Sequence, residues 1–180
     1  MAAKLTFKPV TTANVGDFET LFGAPGAPKY CWCMAWRATS EELKDTKSAS
    51  RHRQMLGRIA DKVQVGLLAY RDGAPVGWVS VAPKANFRGL GGPEDDEGPV
   101  WSLTCMFVAK AQRKTGLSAE LIGAAASHAR QAGATVLEAY PVDPDSPSYR
   151  FMGFVPAFER LGFKAVGREG KRRHVMHLPL

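Results

Sequence analysis

The chain has 180 residues, of which 45% are hydrophobic and 23% charged, and its formal net charge is +7 at pH 7. This balance is typical of a globular protein and excludes a disordered one, and the length suits a single domain over residues 1–180. Because its apolar runs are too short to cross a bilayer and the N-terminus lacks the apolar core of a signal peptide, we expect a cytoplasmic protein with no membrane partner.

The N-terminal half predicts strands and helices separated by loops rich in Pro and Gly. A hairpin turn is predicted at Asp72-Gly73, because Gly adopts positive φ at no steric cost. An aromatic and sulfur-rich segment, Tyr30–Trp36, follows the Pro- and Gly-rich loop 23–28. In chain order the predicted elements are a strand over Leu5–Val10, a helix from Thr11 or Thr12 to Phe22, a helix over Ser40–Ile59, and strands over Val63–Arg71 and Pro75–Ala82.

The C-terminal half predicts a strand–helix–strand unit after a long irregular segment, 84–99. Val100–Val108 is nearly continuously apolar, as in a central strand covered on both faces. The connection from this strand through the helix to the next parallel strand is expected to be right-handed. The remaining elements are an Ala-rich helix from Leu117 to Arg130 ended by Gly133, a strand over Thr135–Tyr140, a short helix over Pro156–Leu161, and a hairpin of Phe163–Val166 with His174–Leu178.

The spacing of the cysteine, histidine and basic residues does not indicate a metal site or a nucleic-acid-binding site. The three cysteines and four histidines lack zinc-ligand spacing, and so few cysteines do not make a disulfide framework. The basic residues near 51–58 and 168–173 lack the interleaved aromatic residues of a nucleic-acid-binding motif. We therefore expect no metal and no nucleic-acid partner.

The turn Arg113–Ser118, between the central strand and the Ala-rich helix, predicts an anion site. The first N–H groups of a helix have no intrahelical partner, and they point outward with the positive end of the helix dipole. Gly116 lets the backbone approach a phosphate closely, and Arg113 and Lys114 add positive charge. The alternative is an ordinary helix start on a basic surface turn.

Three segments, in this order, resemble the Gcn5-related N-acetyltransferase (GNAT) family: the hairpin Asp72-Gly73 followed by Val76-Gly77-Trp78, Arg113-x-x-Gly116-x-Ser118, and Phe158-Glu-Arg-Leu-Gly162-Phe163. The family usually has Gly or Ala where this chain has Ser118. The resemblance implies an α/β fold with a central mixed, mostly antiparallel sheet of six or seven strands and about four helices. A narrower similarity, carried by Cys31-Trp-Cys-Met-Ala-Trp-Arg37, is to a bacterial subgroup of the family.

The resemblance also implies an activity, the transfer of an acetyl group from acetyl-CoA, the co-substrate, to a primary amine of a small molecule or peptide. Direct attack in a ternary complex is expected, because no base beside Cys31 or Cys33 marks a nucleophile. The alternative is an acyl-CoA-binding sensor with little or no transferase activity. A donor longer than acetyl and a homodimer stay open. The residues implied in cofactor binding are Met106, Phe107, Val108, Arg113, Lys114, Thr115, Gly116, Leu117, Ser118, Ala119 and Phe158.

Proton transfer has no obvious residue, because the central strand carries no carboxylate and Phe158 stands where the family usually has an acidic tyrosine. An amine must lose a proton before it attacks. The candidates for the base are Glu97, its neighbour Asp96, and Glu138. Tyr140 is the preferred candidate acid, with Tyr149 or water as the alternative, although a tyrosine at a strand end also packs. The predicted acceptor-binding residues are Trp32, Cys33 and Trp36, whose alternative role is to cover the core.

Overall fold

The computed structural model describes residues 4–94 and 98–180. Within these residues the strands are β1 (Leu5–Pro9), β2 (Gly66–Arg71), β3 (Ala74–Pro83), β4 (Val100–Val108), β5 (Val136–Ala139), β6 (Lys164–Glu169) and β7 (Arg173–Pro179). The helices are α1 (Val15–Phe22), α2 (Ser48–Ala60), α3 (Leu117–Gln131) and α4 (Val155–Arg160), with short 3-10 turns at Glu42–Lys44, Lys84–Asn86, Lys110–Gln112 and Arg150–Met152.

The strands of the described residues form one mixed seven-stranded sheet in the order β1-β2-β3-β4-β5-β7-β6. All neighbouring pairs are antiparallel except β4 and β5, which are parallel and joined through α3. The predicted fold class is therefore confirmed. The parallel pair ends at Leu103 and Ala139, whereas β4 continues to Val108. The sheet thus opens between these two strands, beside the start of α3.

Each face of the sheet carries its own core. On one face α3 packs Leu121, Ile122 and Ala125 against β3 and β4, and Phe158 of α4 joins this cluster. On the other face, Phe18 and Phe22 of α1 pack with Trp78 of β3, together with Met55 and Ile59 of α2. Burying this apolar surface on both faces is what fixes β4 at the centre of the sheet.

The predicted helix Ser40–Ile59 is wrong in its first half. Thr39 and Glu42 exchange hydrogen bonds between their backbone N–H groups and side-chain oxygens, at 2.7 and 3.2 Å, and this reciprocal cap starts only a 3-10 turn. Asp45 then accepts hydrogen bonds from Ser50 Oγ and the Lys47 N–H, which holds 45–47 extended, and α2 begins at Ser48.

The predicted start of the first helix is also too early. Asn14 is the N-cap residue of α1, and its side-chain oxygen accepts a hydrogen bond from the Thr11 N–H at 2.8 Å. Residues 11–14 therefore form a turn before the helix. None of the helices in residues 4–94 and 98–180 is long and apolar enough to cross a bilayer.

Candidate functional site

The free edge of β4 begins with a β-bulge. Ser80 of β3 pairs with Cys105, and the next residue, Val81, pairs with Leu103, so Thr104 is an extra residue in β4. Its hydroxyl lies 2.7 Å from Ser80 Oγ on the face of α1 and α2. Bulges re-aim backbone and side chains and are common beside active sites. Because β5 no longer pairs here, residues 104–108 present one edge of β4 to the opening in the sheet.

The start of α3 lies beside the end of this edge. Gly116 is the N-cap residue with φ 84°, and no side chain caps the helix. In the described chain the backbone N–H groups of 114–118 donate to no backbone acceptor, and a Cβ at Gly116 would meet no atom within 4 Å. Ser118 lies inside the helix and is not its cap. Amides left open at the positive end of a helix dipole are of the kind that bind anions.

Basic side chains surround this turn and connect it to the sheet. Arg113 Nε donates to the Val108 carbonyl at 3.3 Å, which places its guanidinium between the end of β4 and the helix start. Lys114 is exposed and has a left-handed backbone, with φ 63°. Among the residues predicted to bind cofactor, those of 113–119 therefore gather at one exposed turn, except that the Leu117 side chain is buried in the core.

An aromatic pocket of about 210 Å³ opens at the bulge. Its floor includes Thr104 and Cys105 of β4, and Cys33 lies beside them. The three exposed aromatic side chains of the described residues, Tyr30, Tyr149 and Phe151, all line this pocket. The other lining residues are Pro28, Cys31, Ala35, Trp36 and Met152. Exposed aromatic groups gathered around a concave surface mark a ligand site, and no lining residue carries a carboxylate.

The predicted acceptor residues separate in the structure. Trp36 and Cys33 line the aromatic pocket, whereas Trp32 does not. The Trp32 ring is buried and stacks between Phe22, at a centroid distance of 5.3 Å, and His52, at 4.0 Å. Its backbone φ of 47° turns the side chain away from the neighbouring pocket residues and into the core. Trp32 therefore supports the pocket from behind.

Phe158, Met106 and Phe107 are all buried. The Phe158 ring packs against Phe163 at a centroid distance of 5.1 Å, in the core beneath α3. Met106 lies in the same core, and Phe107 lies in the core on the opposite face. What β4 offers to a ligand at 106–108 is therefore its backbone edge, while the Phe158 side chain is enclosed.

Glu138 and Tyr140 form a buried network next to the sheet opening. The Tyr140 hydroxyl donates to Glu138 Oε1 at 2.5 Å and lies 2.8 Å from Ser102 Oγ. Glu138 also contacts His177 Nε2 at 2.6 Å and Lys84 Nζ at 2.8 Å. Burial, and then the charge of Glu138, raise the Tyr140 pKa far above its usual value. Neither side chain lines the aromatic pocket, and Glu97 lies outside the described residues.

The structure adds residues that the sequence analysis did not single out. Phe151, Met152 and Cys105 line the pocket, and Arg37 lies behind it with its guanidinium hydrogen-bonded to Ser80 Oγ at 2.8 Å. Phe151 lies between a predicted strand and a predicted helix, and an aromatic residue in such a connection is a signal that could have pointed to the pocket. Nothing in the sequence indicated that Arg37 is buried behind the pocket, because most arginines lie at the surface.

Comparisons with known proteins agree with this architecture. The model of the Acetyltransferase (GNAT) family matches residues 31–163, which is more than half of the chain. No curated protein matches the sequence.

Among solved structures, an aminoglycoside 6'-N-acetyltransferase from Acinetobacter haemolyticus is 23% identical, with a TM-score of 0.55 over 92% of this chain and 95% of that one. A ribosomal-protein-alanine N-acetyltransferase from Brucella melitensis is 20% identical, with a TM-score of 0.56 over 97% and 99%. PaiA N-acetyltransferase from Thermoplasma acidophilum, in complex with coenzyme A, is 13% identical, with a TM-score of 0.59 over 98% and 99%. These three share the fold, and the match of the family model shows that the chain belongs to the GNAT acetyltransferase family.

Proposed function

We propose that this protein transfers an acetyl group from acetyl-CoA to the primary amine of an aromatic or large apolar molecule, by direct attack in a ternary complex. One observation carries the proposal. Thr104 and Cys105 belong both to the free edge of β4 and to the floor of the aromatic pocket. An amine seated in the pocket is therefore beside the strand edge along which an acyl donor would lie.

The donor half of the site fits acetyl-CoA through backbone groups. The amides at the start of α3 would hold the pyrophosphate, with Arg113 and Lys114 adding positive charge. The edge of β4 at Met106 and Val108 would pair with the pantetheine arm, and the backbone N–H of Met106 would polarise the thioester carbonyl. The coenzyme A complex of PaiA supports this assignment for the fold.

The acceptor half of the site favours an apolar amine over a polycation. Tyr30, Trp36, Tyr149 and Phe151 provide flat aromatic surface, and no lining residue is acidic. A protein of net charge +7 also repels an acceptor that carries several positive charges. A volume of about 210 Å³ suits one ring with its alkylamine, or the first residue of a peptide. Membership of the bacterial subgroup that residues 31–37 resemble stays a prediction, and it does not identify the acceptor substrate.

A panel of amines tests the proposal. Purified protein is incubated with acetyl-CoA and with arylalkylamines, aliphatic amines, polyamines, an aminoglycoside, or peptides that begin with Phe, Leu or Glu. Release of free thiol and the mass of the product are measured. We expect arylalkylamines and peptides with an apolar first residue to give the highest kcat/KM, and initial-rate lines that intersect. Binding of acetyl-CoA without thiol release from any amine would support the sensor alternative instead.

A pair of variants connects the activity to the pocket. Phe151→Ala removes an aromatic wall and is expected to raise the acceptor KM about tenfold, through loss of roughly 1–2 kcal/mol of contact. Val166→Ala removes a similarly exposed apolar side chain on β6, outside the pocket, and is the matched control. Equal effects of the two substitutions would place the acceptor elsewhere.

A further inference from the structure

Arg37 is a buried cation without a carboxylate partner. It is 3% exposed, and its guanidinium donates to the Cys33 carbonyl, the Val65 carbonyl and Ser80 Oγ, at 2.6–2.8 Å. Its Nε is buried and has no hydrogen-bond partner. Within residues 4–94 and 98–180 no Asp or Glu forms an ion pair with it. A buried charge whose only partners are neutral is unfavourable, so a nearby anion is expected.

The neighbouring acidic residue does not supply that anion. Glu42 Oε2 accepts from Arg58 at 2.8 Å, and Arg58 in turn donates to the Arg37 carbonyl at 3.1 Å. Arg58 is therefore the arginine that Glu42 neutralises. Burial lowers the Arg37 pKa to about 10, so its guanidinium keeps its charge at neutral pH.

The thiol of Cys33, whose carbonyl binds Arg37, is the candidate for the missing anion. Cys33 Sγ accepts a hydrogen bond from the buried indole N–H of Trp78 at 3.1 Å. A hydrogen bond from the Cys105 thiol, then the charge of Arg37 and the Trp78 N–H, lower the Cys33 pKa against the opposing effect of burial. The pKa values of the other two thiols are raised. Burial raises the Cys31 pKa to about 12, and the hydrogen bond to Cys33 raises that of Cys105.

A left-handed turn holds Cys33 in this position. Trp32 and Cys33 have φ of 47° and 55°, values that residues with a Cβ rarely adopt and that concentrate at functional sites. In this turn the Cys33 carbonyl accepts from Arg37 and its sulfur accepts from Trp78, and Cys33 is one of the residues that line the aromatic pocket. Nearby titratable groups are Tyr30, whose pKa is raised by burial, and Arg51, whose charge acts on Cys31.

We propose that Cys33 is a thiolate paired with Arg37, and that it is the base which takes the proton from the acceptor ammonium in the aromatic pocket. This role rests on the proposed acetyl transfer, although the ion pair itself does not. The ammonium gives one proton to the Cys33 sulfur and becomes a neutral amine. The amine nitrogen then bonds to the thioester carbon, the carbon–sulfur bond breaks, and the second amine proton goes to the departing thiolate. Cys33 finally releases its proton to water.

The ultraviolet absorbance of a thiolate, which a thiol lacks, tests the ion pair without any substrate. Titration of the wild-type protein is expected to show one thiolate at neutral pH that disappears on acidification. Cys33→Ser should abolish it, and Cys31→Ser should leave it in place. In Cys105→Ala the thiolate absorbance should appear at higher pH than in the wild type, because the thiol that donates to Cys33 is absent. No absorbance difference between wild type and Cys33→Ser near neutral pH would overturn the ion pair, whatever the protein acetylates.

The pH dependence of kcat/KM tests the role as base. A positioned base contributes about 10²–10⁴-fold, so Cys33→Ser should lose a factor in this range at neutral pH. For the wild type, kcat/KM should be independent of pH above the Cys33 pKa. For the variant, kcat/KM should rise about tenfold per pH unit up to the pKa of the amine, because only neutral amine then reacts. If Cys33 had a purely structural role, Cys33→Ser would change stability or KM and would leave the slope of kcat/KM against pH unchanged. An unchanged slope, or an acetyl group found on Cys33 by mass spectrometry, would overturn the role and leave the proposed transfer intact.

Discussion

The guanidinium carbon of Arg173 lies 4.5 Å from the ring centroid of Trp36, so a buried cation supports one wall of the aromatic pocket. Tyr149 lies on the same guanidinium at 5.5 Å, and the two rings are 6.3 Å apart. Arg173 also donates to the Leu90 carbonyl at 2.9 Å, which ties β7 to the segment after β3. Two aromatic side chains of the pocket are thus held by one residue from a distant strand.

Trp36→Leu is expected to weaken acceptor binding in the proposed transfer. The substitution removes a flat wall and the cation–π contact, together worth about 1–2 kcal/mol, so the acceptor KM should rise roughly tenfold. Trp36→Phe keeps a ring over Arg173 and should keep most of the affinity. Initial-rate measurements with both substrates varied provide the check. A rise in the acetyl-CoA KM in place of the acceptor KM would contradict the assignment of the two halves of the site.

Ser118→Glu is expected to separate helix stability from donor binding. A carboxylate in the first turn of α3 is favourable to the helix dipole by about 0.3–1 kcal/mol, so the fold should be no less stable. The same charge repels a pyrophosphate at the open amides, and the acetyl-CoA KM should rise more than about tenfold.

Ser127→Glu is the matched control for this substitution. Ser127 is also exposed on α3 but lies near its other end, so the variant has the same net charge without the added carboxylate at the helix start. If the two variants have equal acetyl-CoA KM values, the anion site is not at Lys114–Ser118.

Tyr140→Phe is expected to be a stability variant more than a catalytic one. The phenyl ring cannot donate to Glu138 or contact Ser102 Oγ, and the loss of a hydrogen bond to a buried charged group costs about 1–3 kcal/mol. Because Tyr140 is fully buried and outside the pocket, kcat should change by less than roughly threefold. Urea unfolding and initial rates measure the two effects. A large fall in kcat at unchanged stability would restore Tyr140 as the acid.

The order of strands and helices could be predicted from the sequence, because it depends on local residue patterns. Part of the site could not be predicted, because it depends on long-range packing. The Asp72-Gly73 hairpin forms with φ of 50° and 84°, because both residue types tolerate the left-handed region. The period of apolar residues after Leu117 gave α3, and the glycine before it gave the helix start. These signals lie within a few residues of the structure that they predict.

The aromatic pocket has no comparable local signal. Trp32 and Trp36 lie in one segment without periodicity, and only the left-handed turn sends the first into the core and the second to the pocket. The environment of Cys33 is assembled from Trp78 and Cys105, which lie in β3 and β4. The sequence shows three thiols, and only the fold shows that the Cys33 thiol accepts a hydrogen bond from the indole of Trp78.

Glu42→Gln is expected to make unfolding less sensitive to acid. Hydrogen bonding from Arg58 lowers the Glu42 pKa from 4.5 to about 2, so as the pH falls below 4.5 the unfolded chain binds a proton that the folded chain does not. Stability from this pair is therefore complete above pH 4.5 and is lost as the pH falls toward 2. At neutral pH the variant should be less stable by about 1–2 kcal/mol and should lose less on acidification. Glu41→Gln, which removes the adjacent exposed pair with Lys44, is the control and should change little. Urea unfolding from neutral pH downward measures both variants, and parallel curves for wild type and Glu42→Gln would show that the Arg58 pair contributes nothing to acid stability.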